Sequence, residues 1–278
     1  MAQILPVQMG TRLLISRFFR ARLHPLLALI CLALLLPLTL RAESWSRIGD
    51  DLELKKVNLA PASFLSSELY VFRTTLSRLS IRTLRAKDFN RATSDAGTIC
   101  KMSKALLCVN ANFFDEQGQA LGLVVERGTT LHPLHRGGNT LTGVFQVGRH
   151  EVSIIHRSLY KAGQAIEAVQ AGPRIISGGT IVPVNDQSVS RRAGVCIDSH
   201  ERLILYLVQS RFSGSTILEL QEALLQPGID CKEALNLDGG GSAQLFVTAS
   251  LPGRASSWSE LNLNGRDQVP VFLGLFLK

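Results

Sequence analysis

Residues 43–278 contain no block of lysines and arginines of the kind that follows a nucleic-acid backbone. The whole chain has a formal net charge of +8, but residues 1–42 hold five arginines and no acid, which leaves +3 (8 − 5) for the rest. The basicity belongs to the N-terminus, and nucleic acid is not the expected partner. No cysteine spacing matches a zinc site. No cofactor motif, internal repeat or low-complexity tract stands out, so neither a metal nor a cofactor is expected. The apolar run Leu26–Leu40 has 15 residues, short of the roughly 20 that a spanning helix needs.

Arg12, Arg17, Arg20 and Arg22 precede that run, and Arg41-Ala42 follows it. A basic segment, a short apolar core and a small residue describe an export signal. Residues 1–42 are therefore expected to be a signal peptide or an N-terminal membrane anchor, and the protein to be exported, periplasmic or extracellular. Four cysteines remain beyond it: Cys100, Cys108, Cys196 and Cys231. In an oxidising compartment three full pairings are open. Cys100 and Cys108 are close enough in the chain to close a small loop. Cys196, inside the apolar run AGVCID, reads as a buried free thiol.

Short alternating or apolar segments predict strands at Leu69–Phe72, Ser80–Leu84, Ala105–Asn110, Leu121–Glu126, Gly143–Val147, Val152–Ile155, Arg174–Ile176, Val195–Asp198, Leu203–Val208, Ala234–Asp238, Gln244–Val247 and Val271–Phe276. Thr216 and Glu219 form a capping box, and Ile217, Leu220, Leu224 and Leu225 give the stripe of a helix that stops before Gly228. A second helix is expected around Phe89–Lys104. Many strands, few helices and no strict βαβ alternation indicate an α+β class. The expected architecture is one β-rich domain over 43–278, with a mixed or antiparallel sheet and a few flanking helices.

The segment with the most chemical character is LNLDGGGSAQLFV, residues 235–247. Leu235 and Leu237 alternate with Asn236 and Asp238, so a strand delivers the Asp238 carboxylate at its end. Gly239, Gly240 and Gly241 are permissive enough for their amides to converge on an anion, with Ser242 adding a hydroxyl. The plain alternative is a glycine turn whose amides Asp238 caps. In CVNANFFDEQG, Asn110 and Asn112 can orient sugar hydroxyls, Phe114 can stack, and Asp115 precedes a glycine turn. QAGPRII supplies Gln170, Gly172 and Arg174, and SRRAGVCID supplies Arg191 and Arg192 at a strand entrance, where arginine forks suit phosphate. His132 and His135 lie in a glycine-rich segment and read as loop polarity.

In this order, NANFFD, QAGPRII, RAGVCI and ALNLDGGGSA resemble the phosphodiester glycosidase family over about residues 68–277, and LHPL…TGVF is similar to its bacterial exported branch. Asn112 and Cys196 stand where the family usually has glycine. The resemblance implies an α+β hydrolase that releases an α-linked, N-acetylglucosamine-like sugar from a phosphodiester-linked glycan. On that basis Asp238 and Asp115 are the candidate catalytic carboxylates. Asn110, Asn112, Phe114, Gln170, Gly172, Arg174, Arg192, Gly239, Gly240, Gly241 and Ser242 are the candidate substrate contacts. The competing expectation is a non-catalytic envelope module that binds phosphorylated glycan or wall polymer.

Overall fold

A computed structural model describes residues 44–59, 66–149 and 151–278. The expectation for residues 1–42 lies outside the described residues. Three antiparallel sheets form the frame. The large sheet runs, edge to edge, Ser46–Gly49, Leu52–Leu59, Ser67–Thr74, Leu203–Gln209, Arg192–Asp198, Cys231–Asn236, Arg174–Ser177 and Thr180–Ile181. A second sheet orders Thr129–His132, Val124–Glu126, Glu167–Ala171, Gly143–Val147 and Val152–His156. The third orders Leu261–Leu263, Leu245–Val247, Leu107–Asn110, Val271–Leu277 and Leu79–Arg85.

Period-two alternation decides what each face of the large sheet meets. Ala193 and Val195 join Phe72, Leu205 and Leu235 in the main core, which also takes Leu107, Val109, Leu245 and Leu273 from the third sheet and Val169 from the second. Cys196, Tyr206 and Ala234 face the other way and are covered by helix α2 (Ile217–Leu224) through Leu220 and Leu224. The capping box forms as expected: Thr216 Oγ1 accepts from Glu219 N, and Thr216 N donates to the Glu219 carboxylate. The helix ends at Leu224, one turn earlier than Gly228 suggests. Helix α1 (Ala96–Ser103) covers the third sheet with Ile99 and Cys100 against Cys108, Phe246 and Phe272. It starts later than Phe89 because Asp95 takes the N-cap, accepting from Thr98 N, and Ala86–Phe89 forms a separate 3-10 turn.

The α+β, β-rich class is as the sequence predicts, and every sheet is antiparallel. Residues 43–278 cluster as one unit. Among the described residues no helix is long and apolar enough to cross a membrane. Two cysteine expectations need correction. Cys196 is bonded to Cys231, because their strands are neighbours and a register shift sets Cys231 opposite Asp198, two residues from Cys196. Cys100 and Cys108 are buried free thiols, one on α1 and one on the strand beneath it.

Candidate active site

The motif segments meet where strands of the three sheets begin or end. Cys231–Asn236, Leu107–Asn110 and Glu167–Ala171 finish there, and Arg192–Asp198, Arg174–Ser177 and Val271–Leu277 start there. Backbone bonds stitch the ends together: Asp238 N donates to Ala111 O (3.0 Å), Leu237 N to Ala193 O (2.8 Å) and Ala111 N to Val271 O (3.0 Å). Asn110 spans the glycine turn, with Nδ2 donating to Asp238 O (2.7 Å) and Oδ1 accepting from Gln244 N (3.0 Å).

Inside the turn the glycines have steric duties. Gly240 sits at φ +58°, where a side chain is strained. A Cβ on Gly239 would meet Arg191 O at 2.8 Å, and one on Gly241 would collide with the Asp267 carboxylate. The open amide cradle expected of Gly239–Gly241 is therefore corrected. Gly240 N is spent on Arg191 O (2.8 Å), and the Gly239 amide bonds the Asp238 carboxylate. The turn is built for close approach to its neighbours.

Those neighbours supply the chemistry. Asp238 is largely buried, and its carboxyl is pushed up from 3.8 to about 6. Burial is the main cause; hydrogen bonds from the Ser242 hydroxyl and the Gly239 amide oppose it, and the Asp267 charge adds to it. Asp267 is exposed, on a loop whose Arg266 N and Asp267 N both donate to Gly241 O (2.7 and 3.0 Å). Arg191 is buried. One Nη donates to Gln209 Oε1 (2.7 Å) and Asn264 O (2.8 Å), while Nε has no partner. Neither Arg191 nor Arg266 has a carboxylate partner among the described residues. Burial first, and the charge of Arg266 second, lower the pKa of Arg191.

Several expected ligand contacts serve the scaffold instead. Arg192 Nη2 donates to Ser188 O (2.7 Å) and its Nη1 pairs with Asp186 (3.3 Å). Arg174 pairs with Glu233 (2.7 Å). The side-chain alternation explains the exchange of roles: Arg192 lies on the Gly194–Cys196 face, whereas Arg191 has the parity of Ala193 and Val195. Asn112 Nδ2 donates to Leu123 O (3.1 Å) and Gln170 O (2.9 Å). Gln170 makes four bonds, to Leu123, His135 twice and Leu141. Phe114 packs against the α1 core, and Gly172 O accepts from Asn236 Nδ2 (3.3 Å). Asp115 closes its own turn by accepting from Gln117 N and Gln119 N (3.0 and 2.8 Å). The carboxylate beside Asp238 is thus Asp267. A sequence signal for it exists: LNLNGRD at 261–267 repeats the strand-into-glycine pattern of LNLDGGG at 235–241. Among the described residues no group of three or more His, Cys, Asp or Glu could hold a metal ion.

A β-rich frame bearing a carboxyl raised by burial, a second carboxylate near it and arginines without acidic partners has the character of a hydrolase site. The chain belongs to the phosphodiester glycosidase family, whose model matches residues 103–276. Its fold is similar to that of a hypothetical protein from Synechocystis (TM-score 0.56, 18% identity, covering 82% of this chain and 62% of that one). It is also similar to the catalytic domain of zebrafish N-acetylglucosamine-1-phosphodiester alpha-N-acetylglucosaminidase, auto-inhibited by its pro-peptide (0.57, 16%, 85% and 88%). A third similar fold is that of a protein from Burkholderia pseudomallei K96243 (0.52, 14%, 78% and 76%). No curated protein matches the chain.

Proposed function

We propose that this protein is an exported hydrolase that releases an α-linked, N-acetylglucosamine-like sugar from a phosphodiester-linked glycan. The observation that carries the reading is Asp238, a carboxyl raised to about 6 chiefly by burial, with the Asp267 charge adding to the shift, in a turn that the Arg191 backbone joins by accepting from Gly240 N (2.8 Å). Arg191 and Arg266 hold the single negative charge of the diester. The bond that breaks joins the anomeric carbon to the phosphoryl oxygen. The electron pair leaves with the phosphate, whose growing charge the arginines stabilise. Water supplies the hydroxyl of the freed sugar and the proton released with it. Asp238, ionised, is the carboxylate at the anomeric carbon, and Asp267 is the second member of the pair that glycosidases use. Ser242 orients Asp238 through their hydrogen bond.

The test is hydrolysis of a UDP-free N-acetylglucosamine-1-phosphodiester, such as its methyl ester, by wild type and Asp238→Asn. A loss of about 10²–10⁴-fold in kcat/KM is expected for removal of an acid–base carboxylate. The anomer released first, read by NMR, separates water activation (inversion) from covalent attack (retention). Undiminished turnover in the variant takes Asp238 out of the chemistry. Binding of the diester without turnover by wild type would replace the enzyme with a binding module.

A further inference from the structure

Beside the glycine turn lies a cleft of about 690 Å³, a volume typical of small-ligand sites. Its lining is mixed in kind: Pro173, Val182, Pro183 and Val184 are aliphatic, and Asn139, Thr140, Thr142, Asn185 and His156 are polar. The charged groups at its edge are already paired, Arg174 with Glu233 (2.7 Å) and Asp186 with Arg192 (3.3 Å). The cleft therefore offers hydrogen bonds and apolar contacts but no net field for an anion. That combination suits a sugar ring, which presents hydroxyls at its rim and C–H groups on its faces.

The polar lining is held in shape before any ligand arrives. The Arg157 guanidinium donates to the carbonyls of Gly137, Gly138 and Leu141, which bracket Asn139 and Thr140. Arg174 N donates to Thr142 Oγ1 (2.9 Å). His156 Nδ1 lies 2.7 Å from Ser158 Oγ and 3.2 Å from Ser158 N, which fixes the orientation of the ring. Two links run from the cleft lining toward the glycine turn, through Pro173 and through Arg192, the partner of Asp186. Pro173 O accepts from Asn236 N (3.1 Å), two residues before Asp238, and Arg192 Cδ lies 3.9 Å from where a Cβ on Gly239 would stand.

We infer that this cleft is a second binding site, for a neutral saccharide unit of a longer glycan, next to the diester site. The inference rests on the proposed function only for its link to turnover; saccharide binding is measured separately. The probe is the neutral tetramer of N-acetylglucosamine, titrated into the purified full chain by calorimetry. The arms are wild type, the double variant Asn139→Ala with Asn185→Ala, Val184→Trp to fill the cleft, and Asp238→Asn. Asn139 and Asn185 are exposed, so the double variant tests binding with the fold intact.

Saturable binding that falls at least tenfold in both cleft variants, and changes less than about twofold in Asp238→Asn, is the expected result; tenfold corresponds to about 1.4 kcal/mol. Absence of tetramer binding, or binding that neither cleft variant weakens, overturns the inference. If a methyl sugar phosphodiester is still hydrolysed in that case, the proposed function stands without it. If the cleft variants weaken binding but no diester is turned over by wild type, the saccharide site stands and the catalytic reading falls. Stronger binding of inorganic phosphate at the cleft than of the tetramer also refutes it.

Discussion

Replacing Asp238 by asparagine should stabilise the protein while silencing it, and the stabilisation should depend on pH. The wild-type carboxyl titrates near 6 in the folded state, against 3.8 as its ordinary value. Between those values the folded protein binds more protons than the unfolded chain, so wild-type stability falls as pH rises through roughly 4 to 6. The full shift corresponds to about 3 kcal/mol. Asparagine keeps the shape and one acceptor for the Ser242 hydroxyl and the Gly239 amide, but has no charge to desolvate. Its advantage over wild type should be about 1–3 kcal/mol at pH 8 and close to zero at pH 4. Urea unfolding of both proteins across pH 4–8 measures this directly. The same ionisation predicts that wild-type kcat/KM climbs with pH through about 6. Ser242→Ala removes a bond that favours the ionised form, so its acid limb should move to higher pH. A stability difference between wild type and Asp238→Asn that is flat across this range would refute the reasoning, since burial would then not be acting on the charge of Asp238.

Neighbouring arginines should fail in different ways. Arg191→Ala should raise KM for a short sugar phosphodiester by about 10–100-fold, the equivalent of losing a charge-assisted hydrogen bond. Arg192→Ala should instead lower stability by about 1–3 kcal/mol through the stranded Asp186 and Ser188 partners, with KM moving less than about threefold. Steady-state kinetics beside denaturant curves separates the two, and equal KM effects would remove the distinction. Reduction of the Cys196–Cys231 bond, which closes a separation of 35 residues, should cost about 4 kcal/mol by loop entropy. A thermal unfolding transition that does not shift after reduction would contradict a structural role for that bond.

Much of the frame was legible because the strand signal is local. Ser67–Thr74, Leu203–Gln209 and Val271–Leu277 each contain their predicted core, extended by a residue or two of pairing that only partners can supply. The strands that escaped notice include three whose side chains carry little apolar contrast. Leu52–Leu59 holds two lysines and a glutamate, Thr129–His132 is mostly exposed, and Thr180–Ile181 is a two-residue edge. Their existence depends on a neighbour's backbone, which no single-segment pattern encodes. Cysteine pairing failed for the same reason. Cys100 and Cys108 are close in the chain, but one is on a helix and the other on the strand below it. Cys196 and Cys231 come together because adjacent strands pair with Cys231 opposite Asp198, two residues from Cys196.

That the motif segments converge was legible in the sequence, but which of their side chains brace the scaffold was not, and the reason is electrostatic. A buried amide must find hydrogen bonds or cost about 1–3 kcal/mol for each group left bare, so Asn110, Asn112 and Gln170 at converging strand ends are drawn into bonds with loop carbonyls. Placing them there makes them struts. A charge faces a larger penalty in the same position. The arginines that enter the packed region therefore acquire acidic partners, as Arg174 and Arg192 do, or settle for neutral acceptors, as Arg191 does with Gln209 and Asn264 O. Parity along one strand is enough to sort the two neighbouring arginines into these fates. An asparagine or glutamine in a motif thus identifies where strand ends meet, while an unpaired charge at that meeting point identifies what the protein binds.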